Sequence, residues 1–165
     1  MPRSRNILKW MVALAVTAAS MSAQAAIVVQ MQVNDTETKL EVTTRGTCAT
    51  GANPNGCVKA QGRQPINFNL VGDKRCSSGQ QWALDYVALG MSESSVGGLT
   101  NVAASDFDAD ASSGEVTPTN QNANSIQIRN NNTAAYDVWY TVYAVCDDAV
   151  IDTDPRIEND GSGNR

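Results

Sequence analysis

The stretch NNNTAAYDVWYTVYAVCDD, residues 130–148, contains four of the nine aromatic residues of the chain. Side chains of an extended strand alternate between its two faces. One face of this strand would carry Val138, Tyr140, Val142, Ala144 and Cys146. The other face would carry Trp139, Thr141, Tyr143 and Val145. Because both faces are apolar or aromatic, the pattern predicts a central strand of a β-sheet that is covered on both sides.

The aromatic residues of this strand allow a second interpretation. If one face is exposed, Trp139 and Tyr143 form an aromatic platform of the kind that carbohydrate-stacking modules use. These two residues are therefore the candidate ligand-binding residues, and the ligand would be a glycan, a peptide or a protein. The sequence leaves both interpretations, core packing and ligand binding, open.

Alternation with a period of two residues also dominates the rest of the chain. Segment 66–70, INFNL, alternates apolar residues with asparagines, as a half-exposed antiparallel strand does. Further strands are predicted at 26–34, 39–44, 82–90, 125–129 and 137–146, with shorter ones near Val58, at 96–102 and near Val116. The strands at 125–129 and 137–146 would form a β-hairpin across the asparagine-rich link. The sequence thus predicts an all-β fold, a single antiparallel β-sandwich of immunoglobulin-like or jelly-roll-like type with roughly seven to eight strands.

The first 25 residues have the order of a secretory signal peptide. Basic residues precede an apolar run from Trp10 to Ala19, and small residues follow up to Ala25. The run has about ten residues, whereas a membrane-spanning helix needs roughly 20, and the mature chain has no longer run. We expect cleavage after Ala25 and export to the periplasm, the cell surface or the medium. One β-sandwich domain would then occupy 26–157, and a polar, frayed tail would occupy 158–165.

All four cysteines lie in the mature part, and they are Cys48, Cys57, Cys76 and Cys146. An even number of cysteines in an exported chain indicates disulfides. We expect Cys48 to pair with Cys57, because the turn residues of CATGANPNGC bring its ends together, and Cys76 to pair with Cys146. The rival interpretation is a four-cysteine zinc site, which lacks the two C-x2-C pairs that such sites use.

The composition argues against several functional classes. The leader takes three of the twelve basic residues and none of the seventeen acidic ones, so the mature chain has a formal charge of −8. Without a basic cluster it offers no surface for nucleic acid. The absence of histidine removes Ser-His-Asp and Cys-His catalysis and the common zinc hydrolase sites. We therefore predict a protein that is not an enzyme, with a carboxylate-based hydrolase as the minor alternative.

An acidic loop, DFDADASSGE at 106–115, is the candidate metal site. Its candidate ligands are Asp106, Asp108, Asp110 and Ser112. Ca²⁺ takes six to eight oxygen ligands, and alternating aspartates turn several carboxylates inward from one loop. A solvated acidic loop without an ion is the alternative, and no other cofactor is expected. A second acidic group at 147–154 would join the site only if both groups lie at the same end of the sandwich.

Two classes of function remain. The first is an exported binding module that meets a protein or a glycan through its loops or through the Trp139 and Tyr143 face. The second is an assembly subunit. Its N-terminal strand, AIVVQMQVN at 26–34, carries on one side Ile27, Val29, Met31 and Val33. A strand of this type can complete the sheet of a neighbouring copy.

The same N-terminal segment resembles the donor strand of chaperone-assembled pilus subunits, which are also exported, disulfide-bonded, immunoglobulin-like sandwiches. The resemblance implies self-assembly into a fibre. The chain departs from those subunits at its C-terminus, because it ends in ENDGSGNR and they usually end in an alternating strand with a near-terminal aromatic residue. An N-terminal strand that pairs within its own domain explains the alternation equally well.

Overall fold

The computed structural model describes residues 24–48, 55–90, 107–108, 119–153 and 155–162. Within these ranges the chain forms ten strands. They are β1 (Ile27–Val33), β2 (Leu40–Val42), β3 (Val58–Ala60), β4 (Gln64–Leu70), β5 (Ala83–Gly90), β6 (Asn120–Asn122), β7 (Ser125–Asn130), β8 (Ala135–Cys146), β9 (Ala149–Thr153) and β10 (Arg156–Asp160). No helix in the described ranges is long and apolar enough to cross a membrane. Most of the predicted leader and the strands predicted at 96–102 and near Val116 lie outside the described residues.

The strands form two sheets. Sheet A has the order β2-β1-β4-β7-β6, and sheet B has the order β3-β10-β8-β5, with β9 pairing to β8. Most neighbours are antiparallel, but β1 is parallel to β4 and β3 is parallel to β10. A parallel pair needs a long connection that returns the chain to the same end, and both pairs have one. The predicted all-β sandwich is confirmed, and the described residues contain ten strands where seven or eight were expected.

The two sheets bury a hydrophobic core between them. Tyr136, at the start of the inward side of β8, is half-buried against the core. The five inward side chains that follow it are buried, and they are Val138, Tyr140, Val142, Ala144 and Cys146. Phe68 of β4 meets Tyr140 across the core, with ring centroids 5.0 Å apart. Ile66 and Phe68 of β4 are fully buried, while Asn67 between them is only half-buried. Core packing therefore accounts for one face of the aromatic strand.

Because Tyr140 is buried, we expect the stability of the fold to decrease at alkaline pH. The side chain is fully buried, and its hydroxyl donates a hydrogen bond of 2.7 Å to the carbonyl oxygen of Gly56. Burial raises the pKa of Tyr140 well above its usual value of 10.0. The unfolded chain therefore loses this proton at a lower pH than the folded protein. The resulting contribution to stability is complete below about pH 10 and is lost as the pH rises toward the folded pKa.

We expect the free energy of unfolding, measured by urea titration, to fall as the pH is raised above about 10. Tyr140→Phe keeps the ring and removes the titrating hydroxyl. The free energy of unfolding of this variant should be about 1–3 kcal/mol lower at neutral pH, because a buried hydrogen bond is lost. It should also fall less steeply than that of the wild type as the pH rises above about 10. An equally steep fall in both proteins would contradict the assignment to Tyr140.

The predicted hairpin between 125–129 and 137–146 is wrong. β7 lies in sheet A and β8 in sheet B, so the asparagine-rich link crosses between the sheets. Asn132 has a φ of 51°, a left-handed conformation that asparagine tolerates. Its Nδ2 donates a hydrogen bond to the carbonyl oxygen of Ala60 at 3.1 Å, and its Oδ1 accepts one from Gly161 N at 2.8 Å. These bonds fix a buried corner that strand alternation does not reveal.

The prediction that a polar tail starts at residue 158 places this start too early. β10 continues to Asp160, and Asn159 is buried within it. Asn130 Nδ2 donates a hydrogen bond of 2.8 Å to Asn159 Oδ1, so this polar side chain enters the interior with its hydrogen bonding satisfied. The polar composition of this segment predicted a frayed tail. The strand was missed because the hydrogen-bond partner of Asn159 is 29 residues away in the sequence.

Both predicted disulfides are confirmed. Cys48 pairs with Cys57 at a Cα separation of 5.6 Å, and Cys76 pairs with Cys146 at 6.2 Å. The second disulfide ties the loop before β5 to the end of β8. Two disulfides and no free cysteine indicate an oxidising compartment.

Candidate functional site on the outer face of sheet B

The outer face of sheet B carries the aromatic residues that the sequence singled out. Four outward side chains of β8 form a surface that we call the β8 strip, and they are Trp139, Thr141, Tyr143 and Val145. Thr141 is buried and the other three are half-buried. Trp139 and Tyr143 are four residues apart, which corresponds to about 13 Å along a strand. They therefore mark two separate points on one surface.

β5 supplies the neighbours of the β8 strip on one side. Tyr86 stacks on Tyr143 with ring centroids 4.4 Å apart and 16° between the ring planes. Ala88 of β5 lies opposite Thr141, and both side chains are buried. The stack covers one face of the Tyr143 ring. The surface thus has an aromatic pair at one point, Trp139 at the other, and small side chains between them.

β10 and β3 place charged side chains beside Trp139. Arg156 is the direct cross-strand neighbour of Trp139, and its Nη1 lies 3.3 Å from Asp137 Oδ2. Glu158 lies opposite Asp137 and forms a salt bridge of 3.9 Å with Lys59. The two facing carboxylates are therefore each paired with a cation. Pairs this exposed contribute at most about 1 kcal/mol each, so their main effect is a charged border to the strip.

The other end of the β8 strip is apolar. Val145 lies opposite Val150 of β9, whose side chain is 59% exposed. Asp152 lies opposite Tyr143 and supplies an exposed carboxylate there. Tryptophan, tyrosine and arginine are the residues most enriched at the energetic centres of protein interfaces. The outer face of sheet B combines these types with an exposed valine.

The structure describes one of the four predicted Ca²⁺ ligands. Asp108 is half-buried, and its Oδ1 lies 3.8 Å from Arg129 Nη1. Asp106, Asp110 and Ser112 lie outside the described residues. The Arg129 guanidinium already supplies Asp108 with a positive partner.

Asp147 of the second acidic group lies far from Asp108, which is the described acidic residue of the first loop. Phe107 bridges to Asn130, so Asp108 lies at the end of the sandwich where β8 begins. Asp147 follows the other end of β8, where its Oδ1 accepts a hydrogen bond of 2.7 Å from Gln80 Nε2. Asp147 also lies near Cys76 and Cys146, but those sulfurs form a disulfide and are not thiolate ligands. Of the two acidic groups, the described carboxylates of Asp108 and Asp147 therefore lie at opposite ends of β8 and do not share an ion.

The residues of the candidate assembly strand lie inside sheet A of their own chain. β1 pairs antiparallel with β2 and parallel with β4. Val29 and Met31 are completely buried, Val33 is 8% exposed, and Ile27 packs against the core. In this structure the N-terminal strand thus completes its own domain.

A narrow crevice at the end of the sandwich is too small for a ligand. Its lining includes Val33, Lys74 and Trp82, and its volume is about 20 Å³, which is room for about one water molecule. Trp82 Nε1 is the only buried side-chain nitrogen or oxygen in the described residues without a hydrogen-bond partner. One ordered water beside this nitrogen would suffice to satisfy it.

Neither a family model nor a curated protein matches this chain. The functional argument therefore rests on the residues of the molecule.

Three contributors to the sheet B surface were missed from sequence: Tyr86, Val150 and Arg156. Tyr86 was placed on a predicted strand, but its stacking on Tyr143 depends on the register of β5 against β8. That register shifts between Leu84 and Val87, which alternation does not show. Val150 and Arg156 lie on β9 and β10, where no strand was predicted from the sequence.

Proposed function

We propose that the protein is an exported, non-enzymatic interaction module that binds a partner protein through the outer face of sheet B. The observation that carries the proposal is the partial exposure of Trp139 and Tyr143 on the solvent side of β8. The two disulfides and the signal-like leader support export.

The surroundings of the β8 strip favour a protein as the partner. Trp139 has Arg156 as its cross-strand neighbour, and Tyr143 has Tyr86 stacked on it. Val150 adds exposed apolar area at the end of the same face. An aromatic centre bordered by charges matches the anatomy of protein interfaces, where a desolvated centre has a polar rim. A glycan stacked on Trp139 is the other ligand class that this face would accept.

Trp139→Ala and Tyr143→Ala test the proposal. Each variant should weaken partner binding by about thirtyfold or more, since truncation of an aromatic hot spot costs about 2 kcal/mol or more. Each should also stay folded, because neither side chain belongs to the buried core. The measurements are binding by surface plasmon resonance to candidate envelope proteins and to a glycan panel, with thermal unfolding of the same samples.

Val28→Ala is the matched control, because Val28 is 42% exposed and lies on the opposite sheet. It should change neither binding of the partner protein nor stability. If Trp139→Ala and Tyr143→Ala unfold the protein, the strip serves packing instead of binding. If both variants stay folded and bind as the wild type does, this face is not the interaction surface.

Assembly into a fibre is the second candidate function. One observation favours it: β1 is N-terminal, yet it fills an interior position of sheet A between β2 and β4. Exchange of such a strand between copies would preserve its contacts and link the copies. The tight β1–β2 turn opposes exchange, because Asn34 Oδ1 accepts hydrogen bonds from Thr38 N at 2.8 Å and Lys39 N at 3.2 Å.

A further inference from the structure

The outer face of sheet A has a different chemistry from that of sheet B. Its outward side chains in the three central strands are Val28, Gln30, Gln32, Pro65, Asn67, Asn69, Ser125, Gln127 and Arg129. Amides and one hydroxyl dominate this set, and Arg129 is its only charged member. The full chain has a formal charge of −5, yet these strands place one charged side chain on this face.

The register aligns the amides of this face in a row across the sheet. Gln30 lies beside Asn69, and Asn69 lies beside Ser125. Ser125 Oγ donates a hydrogen bond of 2.9 Å to Asn69 Oδ1, and Gln127 Nε2 donates one of 2.6 Å to Asn67 Oδ1 in the next row. Both asparagine oxygens therefore already accept one hydrogen bond within the sheet, and the Nδ2 groups of Asn67 and Asn69 are donors that an external group can use. Gln30 adds an exposed amide that can both donate and accept.

The row continues into a cavity at the β1–β2 turn. The cavity has a volume of about 250 Å³, and its lining includes Gln32, Asp35, Thr36 and Glu41. Gln32 lies opposite Glu41 on the same face as Gln30. The cavity is thus a concave extension of the amide row, with hydroxyl, amide and carboxylate oxygens along its wall.

Asn34 holds the wall of this cavity in place. Its Nδ2 donates hydrogen bonds to the hydroxyl oxygens of Thr36 at 2.8 Å and Thr38 at 3.0 Å. Its carbonyl oxygen accepts a hydrogen bond of 2.6 Å from Lys74 Nζ, and the same ammonium lies 3.5 Å from Asp35 Oδ1. The wall is therefore ordered before any ligand binds, which lowers the entropic cost of binding. Lys74 also offsets the charge of Asp35.

We propose that the outer face of sheet A, from this cavity to the Gln30–Asn69–Ser125 row, binds a neutral glycan. A sugar hydroxyl both donates and accepts hydrogen bonds, as the amides of this face do. The charge pattern also fits, because the Gln30–Asn69–Ser125 row contains no charged side chain that would attract an ionic ligand. This site goes beyond the proposed function, since it lies on the sheet opposite the β8 strip.

Affinity electrophoresis of the mature, oxidised protein tests this proposal. The gels contain one neutral glycan each, namely dextran, xylan or soluble chitin oligomers that are free of chitosan, and a gel with alginate is the anionic comparison. We expect at least one neutral glycan to retard the protein equally at low and high salt, since uncharged contacts are not screened. Asn69→Asp keeps the acceptor for Ser125 but removes the Nδ2 donors and adds a charge. This variant should bind the retarding glycan about tenfold or more weakly than the wild type, while its melting temperature stays near that of the wild type.

Gln81→Glu is the matched control, because it adds the same charge at an exposed position outside this face. It should be retarded as the wild type is, and so should Trp139→Ala, which separates this site from the β8 strip. Three results would overturn the proposal: no retardation by any neutral glycan, equal retardation of Asn69→Asp, or retardation that a chelator abolishes. A dimer in light scattering that Asn69→Asp dissociates would instead assign this face to a second copy and would also overturn it.

Discussion

Deletion of residues 26–34 is expected to unfold the protein. β1 lies between β2 and β4, so its removal divides sheet A and exposes the core side of both neighbours. Val29, Met31 and Val33 are buried, and full burial of such a side chain contributes about 1.5–3 kcal/mol. Three losses of this size, with the lost ladder hydrogen bonds, approach the whole stability of a typical domain, about 5–15 kcal/mol. Circular dichroism and light scattering after size exclusion would measure the outcome.

Two single substitutions on β1 test this prediction in smaller steps. Met31→Ala should lower the free energy of unfolding by about 2–5 kcal/mol, because it leaves a cavity in a fully packed site. Val28→Ala, on the exposed side of the same strand, should change it by less than about 0.5 kcal/mol. A truncated chain that stays a folded monomer would show that β1 is dispensable for its own domain. Wild-type polymers that disappear on truncation, with a folded remainder, would favour the fibre subunit.

Removal of the Cys76–Cys146 disulfide is expected to cost more than removal of the Cys48–Cys57 disulfide. The two sequence separations are 70 and 9 residues. A crosslink that closes a longer loop removes more entropy from the unfolded chain, which gives about 4.4 kcal/mol for the first disulfide and about 2.6 kcal/mol for the second. Paired cysteine-to-alanine variants avoid burying a new hydroxyl, and urea titration would measure the free energies of unfolding.

The order of the two losses is the decisive quantity, because both variants remove one disulfide and two sulfurs. Equal losses, or a larger loss for the Cys48–Cys57 variant, would contradict the loop-length argument. The measurement would then indicate that the short disulfide loop holds native contacts that the long one does not.

The sequence predicts those parts of the fold where one residue pattern decides one strand. β8 and β4 alternate over long stretches, and burial follows the alternation at most positions, with exceptions at Thr141, which is buried on the outward side, and Leu70, which is half-buried on the inward side. β10 was missed because Asn159 owes its burial to Asn130, a partner 29 residues away. The false hairpin has the same cause, since Asn132 turns the chain by bonding to Ala60 and Gly161. Local patterns do not contain such distant hydrogen bonds.

The candidate site was predictable only in part for a related reason. Trp139 and Tyr143 stand out in the sequence because they are large aromatic residues on the second face of an apolar strand. Their neighbours on the sheet come from β5, β9 and β10, and strand order decides which residues these are. The amide row of sheet A also depends on register, because it joins residues from β1, β4 and β7.

Site-specific photocrosslinking tests most directly whether the outer face of sheet B is the interaction surface. A benzophenone amino acid would replace Val150, 59% exposed beside the β8 strip, or Val28, 42% exposed on sheet A, in the cells that produce the protein. The account predicts a discrete crosslinked protein from position 150, none from position 28, and loss of the product when Trp139→Ala is added. Equal products from both positions, no product from position 150, or a product that persists in Trp139→Ala would contradict it.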